Sequence, residues 1–246
     1  MSITIENHHN VFVLRDDLLP GGTKSILIKS IIDSTPDKNE FVYASPVYGG
    51  FQIALSAYCQ QNGKKATIFC AKRNTLHPNT LKCLDHGANV IQVPYGYLTV
   101  VEKHARLYCE GKPDVEKIIF GAGTAENQQL ITQRTLDVFK RIGKEPDEIW
   151  CAVGSGTLIS GIAAACKTAK IYGVQVGAEF IPPEGAKHNI QMIKYEKPFD
   201  KPSKFKAPFP SVANYDLKAY EKCMEHINNK TGPKDKCILF WNVYGF

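Results

Sequence analysis

The sequence predicts an α/β protein whose parallel sheets are covered by helices on both faces. Three observations carry this. Short β-branched or apolar runs recur along the chain, helix-compatible stretches separate most of them, and the runs are apolar throughout. A strand buried on both faces reads as such a continuous run, whereas a half-exposed strand alternates.

The predicted strands fall at residues 41–44, 66–70, 89–93, 118–120, 148–153, 171–176 and 237–241. Helices are predicted over 50–61, 78–85, 97–110, 127–142, 158–170 and 216–228. Asn62-Gly63 and His86-Gly87 stand just after predicted helices, where glycine takes the left-handed turn that stops a helix. No internal repeat and no linker divides the chain.

Composition narrows the class. The 246 residues carry 30 Lys+Arg against 24 Asp+Glu, a formal charge of +6, and 43% are hydrophobic, enough to outweigh chain entropy in a core. The first ten residues are polar, with His8 and His9, so no secretory leader is expected there. The longest apolar stretch, near 158–166, is half the roughly 20 residues of a membrane span. A soluble cytoplasmic protein with no membrane partner is expected.

Cys59, Cys70, Cys83, Cys109, Cys151, Cys166, Cys223 and Cys237 form no C-x-x-C and no zinc-like spacing with histidine. Several lie inside apolar runs, where a reduced thiol acts as a small core residue. Part of the basic excess collects in Lys187, Lys194, Lys197, Lys201, Lys204 and Lys206, among Pro182, Pro183, Pro198, Pro202, Pro208 and Pro210. That segment reads as a solvated surface loop or as a polyanion contact.

Two glycine-rich runs carry chemistry. Gly154-Ser155-Gly156-Thr157 follows a predicted strand and opens an apolar helix. Glycines expose backbone N–H groups, the helix N-terminus adds positive potential, and two hydroxyls complete a cradle suited to phosphate. A tight strand-to-helix turn without ligand has the same pattern. It is not a Walker loop, since no Gly-Lys-Ser/Thr follows. Nor is it a dinucleotide fingerprint, because Gly161 comes too late and no acid stands near Gln175.

The other run is Arg15-Asp16-Asp17-Leu18-Leu19-Pro20-Gly21-Gly22-Thr23-Lys24-Ser25. Lys24 sits past a glycine pair at the start of a predicted helix, flanked by apolar residues that disfavour its ammonium form and free an amine for Schiff-base chemistry. Alone this is weak, since most lysines are solvated. With a phosphate cradle in the same chain it points to a cofactor bearing both aldehyde and phosphate, pyridoxal phosphate.

At these residues the chain resembles the pyridoxal-phosphate enzymes of the tryptophan synthase β-like fold (fold type II), nearest the aminocyclopropane-carboxylate deaminase and D-cysteine desulfhydrase branch, as a shortened, viral-type member. In that branch an Arg-Asp-Asp segment precedes a Gly-Gly-Asn-Lys; here Arg15-Asp16-Asp17 precedes Gly21-Gly22-Thr23-Lys24. The resemblance makes Lys24 the catalytic and cofactor-bearing lysine and Gly154, Ser155, Gly156 and Thr157 the phosphate loop. It places Tyr48, Gly49 and Gly50 beside the ring, Asn242 at the pyridine nitrogen, and Ser45 and Tyr244 as candidate substrate contacts. It departs at Ser45-Pro46-Val47-Tyr48-Gly49-Gly50, which lacks the branch's asparagine, and at Asn242-Val243-Tyr244-Gly245, where relatives carry His-Thr-Gly-Gly. Tyr48 either stacks on the ring or packs at a domain interface.

Implied by the same resemblance are a two-lobed fold, a larger lobe of residues 1–42 plus 121–246 around an inserted lobe of 43–120, and a homodimer. The implied reaction is lyase or deaminase chemistry on an amino-acid-like amine. Two alternatives accompany it. One is a pyridoxal-phosphate enzyme acting on an amino acid carried on a nucleic-acid base, by decarboxylation or elimination in viral DNA modification. The other is a non-catalytic relative of the fold.

Overall fold

The computed structural model describes the chain except for residues 48, 95, 120–124, 178, 183–188, 230–235 and 245–246. The strands are β1 (Ile5–His8), β2 (Val11–Arg15), β3 (Glu40–Ala44), β4 (Lys65–Ala71), β5 (Asn89–Val93), β6 (Val115–Ile118), β7 (Glu148–Val153), β8 (Lys170–Gln175), β9 (Ile190–Lys194) and β10 (Ile238–Asn242). The helices are α1 (Lys24–Ser34), α2 (Phe51–Gln61), α3 (Pro78–Asp85), α4 (Leu98–Cys109), α5 (Ala125–Ile142), α6 (Thr157–Ala165) and α7 (Asp216–Asn228). Contacts divide the chain into two compact units, Met1–Leu19 with Gly123–Phe246, and Pro20–Ala122.

The first unit holds a six-stranded sheet in the order β1-β2-β10-β7-β8-β9. Every neighbouring pair is parallel except β1 with β2. The exception lies at an edge the sequence reading did not name as strand: only the His9-Asn10 turn separates β1 from β2, too short for the crossover that a parallel pair needs. Both turn residues take positive φ, 53° and 64°.

Alternate residues of the central strands feed two cores. Trp150, Ala152, Ile238 and Phe240 pack with Ala219, Tyr220, Cys223 and Met224 of α7. Ile149, Cys151, Val153, Leu239 and Trp241 pack on the other face with Val138 and Phe139 of α5 and Ile159 and Ile162 of α6. This two-sided burial is why the strands read as unbroken apolar runs.

The second unit is a four-stranded parallel sheet, β5-β4-β3-β6. Phe41 and Tyr43 of β3 face α1 and α2, while Val42 and Ala44 face Val101 and Ala105 of α4. The segment 20–42, placed ahead of the inserted lobe by the sequence reading, packs here: Ile28 and Ile32 of α1 share a core with Ile53, Ala54 and Leu55 of α2.

All eight cysteines are free, six of them buried. Burial pushes the Cys59, Cys83 and Cys166 thiols up to about 12, which leaves them inert. No described helix is long and apolar enough to cross a membrane, and no cluster of metal-ligating side chains occurs among the described residues.

Candidate functional site

Each unit carries one glycine turn at the carboxyl side of its chemistry, and each is built from its own neighbours. In the first unit β7 ends at Val153 and α6 begins at Thr157, with Gly154, Ser155 and Gly156 between them. Gly156 is the helix N-cap at φ +86°, and no side chain caps the helix. The N-cap glycine thus offers the first-turn N–H groups no side-chain acceptor, and the turn concentrates the positive end of the helix dipole. Ser155 is exposed and its Oγ lies 3.3 Å from Thr157 Oγ1, so both hydroxyls stand beside those N–H groups.

The glycines are required by what backs them. A Cβ at Gly156 would lie 2.1 Å from the Phe180 ring, and one at Gly154 would lie 3.0 Å from the Tyr215 hydroxyl. The Gly154 backbone hydrogen-bonds that hydroxyl, while burial drives the Tyr215 phenol well above its ordinary range. Phe180 is held in turn by Gln175, whose Oε1 accepts from the Phe180 N–H at 3.1 Å and whose Nε2 donates to the Val153 carbonyl at 3.3 Å. Gln175 thus stands where a dinucleotide fold carries an acid, and it braces the cradle instead. Gly161 serves packing: a Cβ there would sit 2.5 Å from Ile131 Cβ, so its absence lets α6 press on α5.

Asn242 lies one strand over, at the end of β10; Trp241 pairs with Cys151, which sets Asn242 level with Ala152, two residues short of Gly154. Its side chain is fully buried. Oδ1 accepts from Ser211 Oγ at 2.9 Å and Nδ2 donates to the Pro210 carbonyl at 2.8 Å. Residues 210–215 therefore span both strand ends, touching Asn242 at one end and Gly154 at the other. Tyr244 stacks on Tyr215, 5.8 Å between centroids and 11° between planes, and its N–H donates to Asp216 Oδ2 at 3.2 Å.

The Arg15-Asp16-Asp17 segment is a brace. Arg15 Nε and Nη2 donate to Asp17 at 2.9 Å each, and Nη1 reaches Glu6 at 2.5 Å. Asp16 is fully buried, accepting from Arg134 Nη2 at 2.5 Å and from Trp241 Nε1 at 3.1 Å. A buried carboxylate needs such partners, and removing one typically costs about 3–5 kcal/mol.

In the second unit Lys24 is the first residue of α1, half-buried, immediately after Gly21 and Gly22 at φ +83° and +74° and Thr23. A Cβ at Gly21 would fall 2.1 Å from Ala54 Cα, so the turn is pressed onto the backbone of α2. The Ser25 hydroxyl donates to the Pro20 carbonyl and closes the turn.

The turn after β3 leads into α2, whose N-cap is Gly50 with no side-chain cap. Ser45 is buried and its hydroxyl donates to the Pro46 carbonyl at 2.9 Å, and the Gly49 N–H donates to the same carbonyl at 2.9 Å. Tyr48 lies outside the described residues. The residue that organises this turn is one the sequence reading missed. Fully buried Gln52 donates Nε2 to the carbonyls of Val47 at 2.9 Å, Gly49 at 3.0 Å and Pro46 at 3.3 Å. Nothing in the sequence set it apart, since α2 also carries Ser56, Gln60 and Gln61.

The pyridoxal-phosphate dependent enzyme family matches residues 3–228, and the chain belongs to that family. Its cofactor is pyridoxal phosphate, and its fold is that of fold type II, the tryptophan synthase β-like class. Similar solved structures include an ACC deaminase homologue, at TM-score 0.78 and 15% identity, over 100% of this chain and 90% of that one. A hydrogen sulfide-producing enzyme from Fusobacterium nucleatum aligns at TM-score 0.75 and 13% identity, over 99% and 93%. A fungal L-serine ammonia-lyase from Rhizomucor miehei aligns at 0.75 and 15%, over 100% and 94%. No curated protein sequence matches the chain.

The residues present fit this cofactor. The first unit offers an uncapped helix N-terminus with two hydroxyls and two positions that exclude a Cβ, the chemistry of a phosphate seat. The second offers a half-buried primary amine on a turn fixed by its glycines.

Proposed function

We propose that this chain is a lyase- or deaminase-type enzyme acting on an amino-acid-like amine by elimination or replacement, with Lys24 as its catalytic lysine. The observation that carries the reading is the cradle at residues 154–157, uncapped at α6 and walled by Tyr215 and Phe180. When bound, pyridoxal phosphate supplies an electrophilic carbon for amines and a conjugated ring that withdraws electrons from the substrate Cα.

The chain's own residues do the rest. Ser155, Gly156 and Thr157 would hold the phosphate through backbone N–H groups and hydroxyls, and Gly154 is kept in register by Tyr215. Lys24 is the residue whose Nζ would hold the cofactor, and the same amine would take up and return a proton at the substrate Cα. Asn242, hydrogen-bonded to Ser211 and Pro210, holds the loop 210–215 at the strand ends. The likeness to an ammonia-lyase and a hydrogen sulfide-producing enzyme supports elimination chemistry as the class to test first.

Borohydride reduction of the cofactor-loaded protein, followed by peptide mapping, is expected to place the label on Lys24. Lys24→Ala should lose both the label and the visible absorbance of the bound cofactor. A label on any other lysine overturns the assignment.

A further inference from the structure

The lysine-rich segment singled out in the sequence is absorbed by no part of the proposed chemistry, and the structure shows how it is mounted. From Tyr195 to Pro210 the chain runs without regular secondary structure across α7, and that helix holds it at several points. Fully buried Lys218 donates Nζ to the carbonyls of Pro198 at 2.9 Å and Phe199 at 3.4 Å. Glu221 accepts from Tyr195 Oη at 2.6 Å and from Ser203 Oγ at 2.8 Å, both on the same carboxylate oxygen. Phe205 and Phe209 set their rings edge-on to Tyr220, at 5.8 and 4.8 Å.

That shared carboxylate fixes a juxtaposition. Tyr195 and Ser203 point inward to one oxygen, so their exposed neighbours Lys194 and Lys204 stand on the outer side of the same place. From Ser203 to Pro210 exposure alternates: Ser203, Phe205, Ala207 and Phe209 turn inward, while Lys204, Lys206, Pro208 and Pro210 turn out. Lys204 and Lys206 thus share the outer face about 6.7 Å apart, two residues of extended chain.

The acids in the segment are already engaged. Glu196 pairs with Lys222 at 2.5 Å and Asp200 with Lys201 at 4.0 Å. Lys194, Lys204 and Lys206 have no ion-pair partner among the described residues, and Lys197, beyond ion-pair distance of any acid there, is attracted only weakly by Glu196; Lys187 lies outside those residues. Lysine is a compact point charge suited to phosphate. The outward positions from 204 to 210 are two lysines followed by two prolines, with none of the large aromatic or aliphatic side chains that a bilayer surface needs. A strap pinned at its core and stiffened by proline loses little freedom on binding.

We propose that this strap is a binding surface for the phosphate backbone of a nucleic-acid strand, with Lys194, Lys197, Lys204 and Lys206 as its contacts. It reads charge and not sequence, and it stands independently of the reaction. Fluorescence anisotropy of a short fluorescein-labelled single-stranded DNA, titrated with the cofactor-loaded full chain, tests it. Four phosphate contacts to a single strand predict affinity falling about 50-fold between 50 and 200 mM salt, and only about 7-fold once Lys204 and Lys206 are both alanine.

The control changes Lys72 and Lys103, two exposed lysines of the other unit, to alanine, matching the loss of net charge. It should keep the wild-type salt slope. Three results would overturn the proposal: no anisotropy change at 50 mM salt, equal loss in the control, or capture by phosphatidylserine vesicles without DNA binding.

Discussion

The two glycine turns do similar local work by different means. Gly21 is pressed against the main chain of α2, with Ala54 Cα at 2.1 Å from where a Cβ would stand. Gly156 is pressed against a side chain, the Phe180 ring, at the same 2.1 Å. Both sit at positive φ, +83° and +86°. A ring can rotate away, whereas a helix backbone cannot move without its whole core. The turn before Lys24 is thus specified by the fold, and the turn at residues 154–157 by a few replaceable neighbours.

Substitution tests that contrast directly. Gly21→Ala carries the largest expected effect, a loss above about 4 kcal/mol in chemical denaturation, and Ala54→Gly should not rescue it because the Cα clash remains. Gly156→Ala should cost about 2–4 kcal/mol, the sum of left-handed strain and overpacking. In a Phe180→Ala background the same change should cost about 1–2 kcal/mol, since only strain is left; an undiminished cost would erase the distinction between the turns. Gly63→Ala calibrates both. It sits at φ +64° with no atom within 4 Å of its would-be Cβ, so about 1–2 kcal/mol of strain alone is expected.

The smallest effect probes a turn held by charge. Burial works against the Glu145 carboxylate, yet N–H groups of Thr168, Ala169 and Lys167, at 2.7–2.9 Å, outweigh it and lower its pKa below the ordinary 4.5. A lowered folded pKa contributes stability that is present above 4.5 and fades as pH falls through the folded value. Glu145→Ala should therefore cost about 1 kcal/mol at neutral pH and nothing in strong acid, which pH-dependent denaturation would register.

Periodicity revealed most of this architecture. The strands at 89–93 and 148–153 and the helices at 78–85 and 216–228 match the expected spans end for end. What it missed has physical causes. β2 is short and lies beside the charged Arg15-Asp16-Asp17, so it read as part of a motif; β9 leads into the lysine-rich segment and read as loop. The predicted strand at 118–120 meets β6 at Ile118 and its last residue lies outside the described ones; β6 begins earlier, at Val115, because Glu116 and Lys117 hid its start by breaking the apolar run. In the candidate site the glycines and lysine were legible as unusual local chemistry. Their supports, Tyr215, Phe180, Gln175 and Gln52, were not, because each arrives from elsewhere in the fold or looks like an ordinary helix or loop residue.

The pairing of β2 with β10 has a consequence for synthesis. Ile238 lies opposite Val11, so β2 waits for a partner made 227 positions after it (238 − 11). At ordinary elongation speeds the delay is roughly 11–45 s. The second unit is one continuous stretch, Pro20–Ala122, whose internal pairings need nothing made afterwards. Emergence from the ribosome therefore allows the lysine turn to form while β2 still lacks β10, and Asp16 meets Trp241 only as the last strand is delivered.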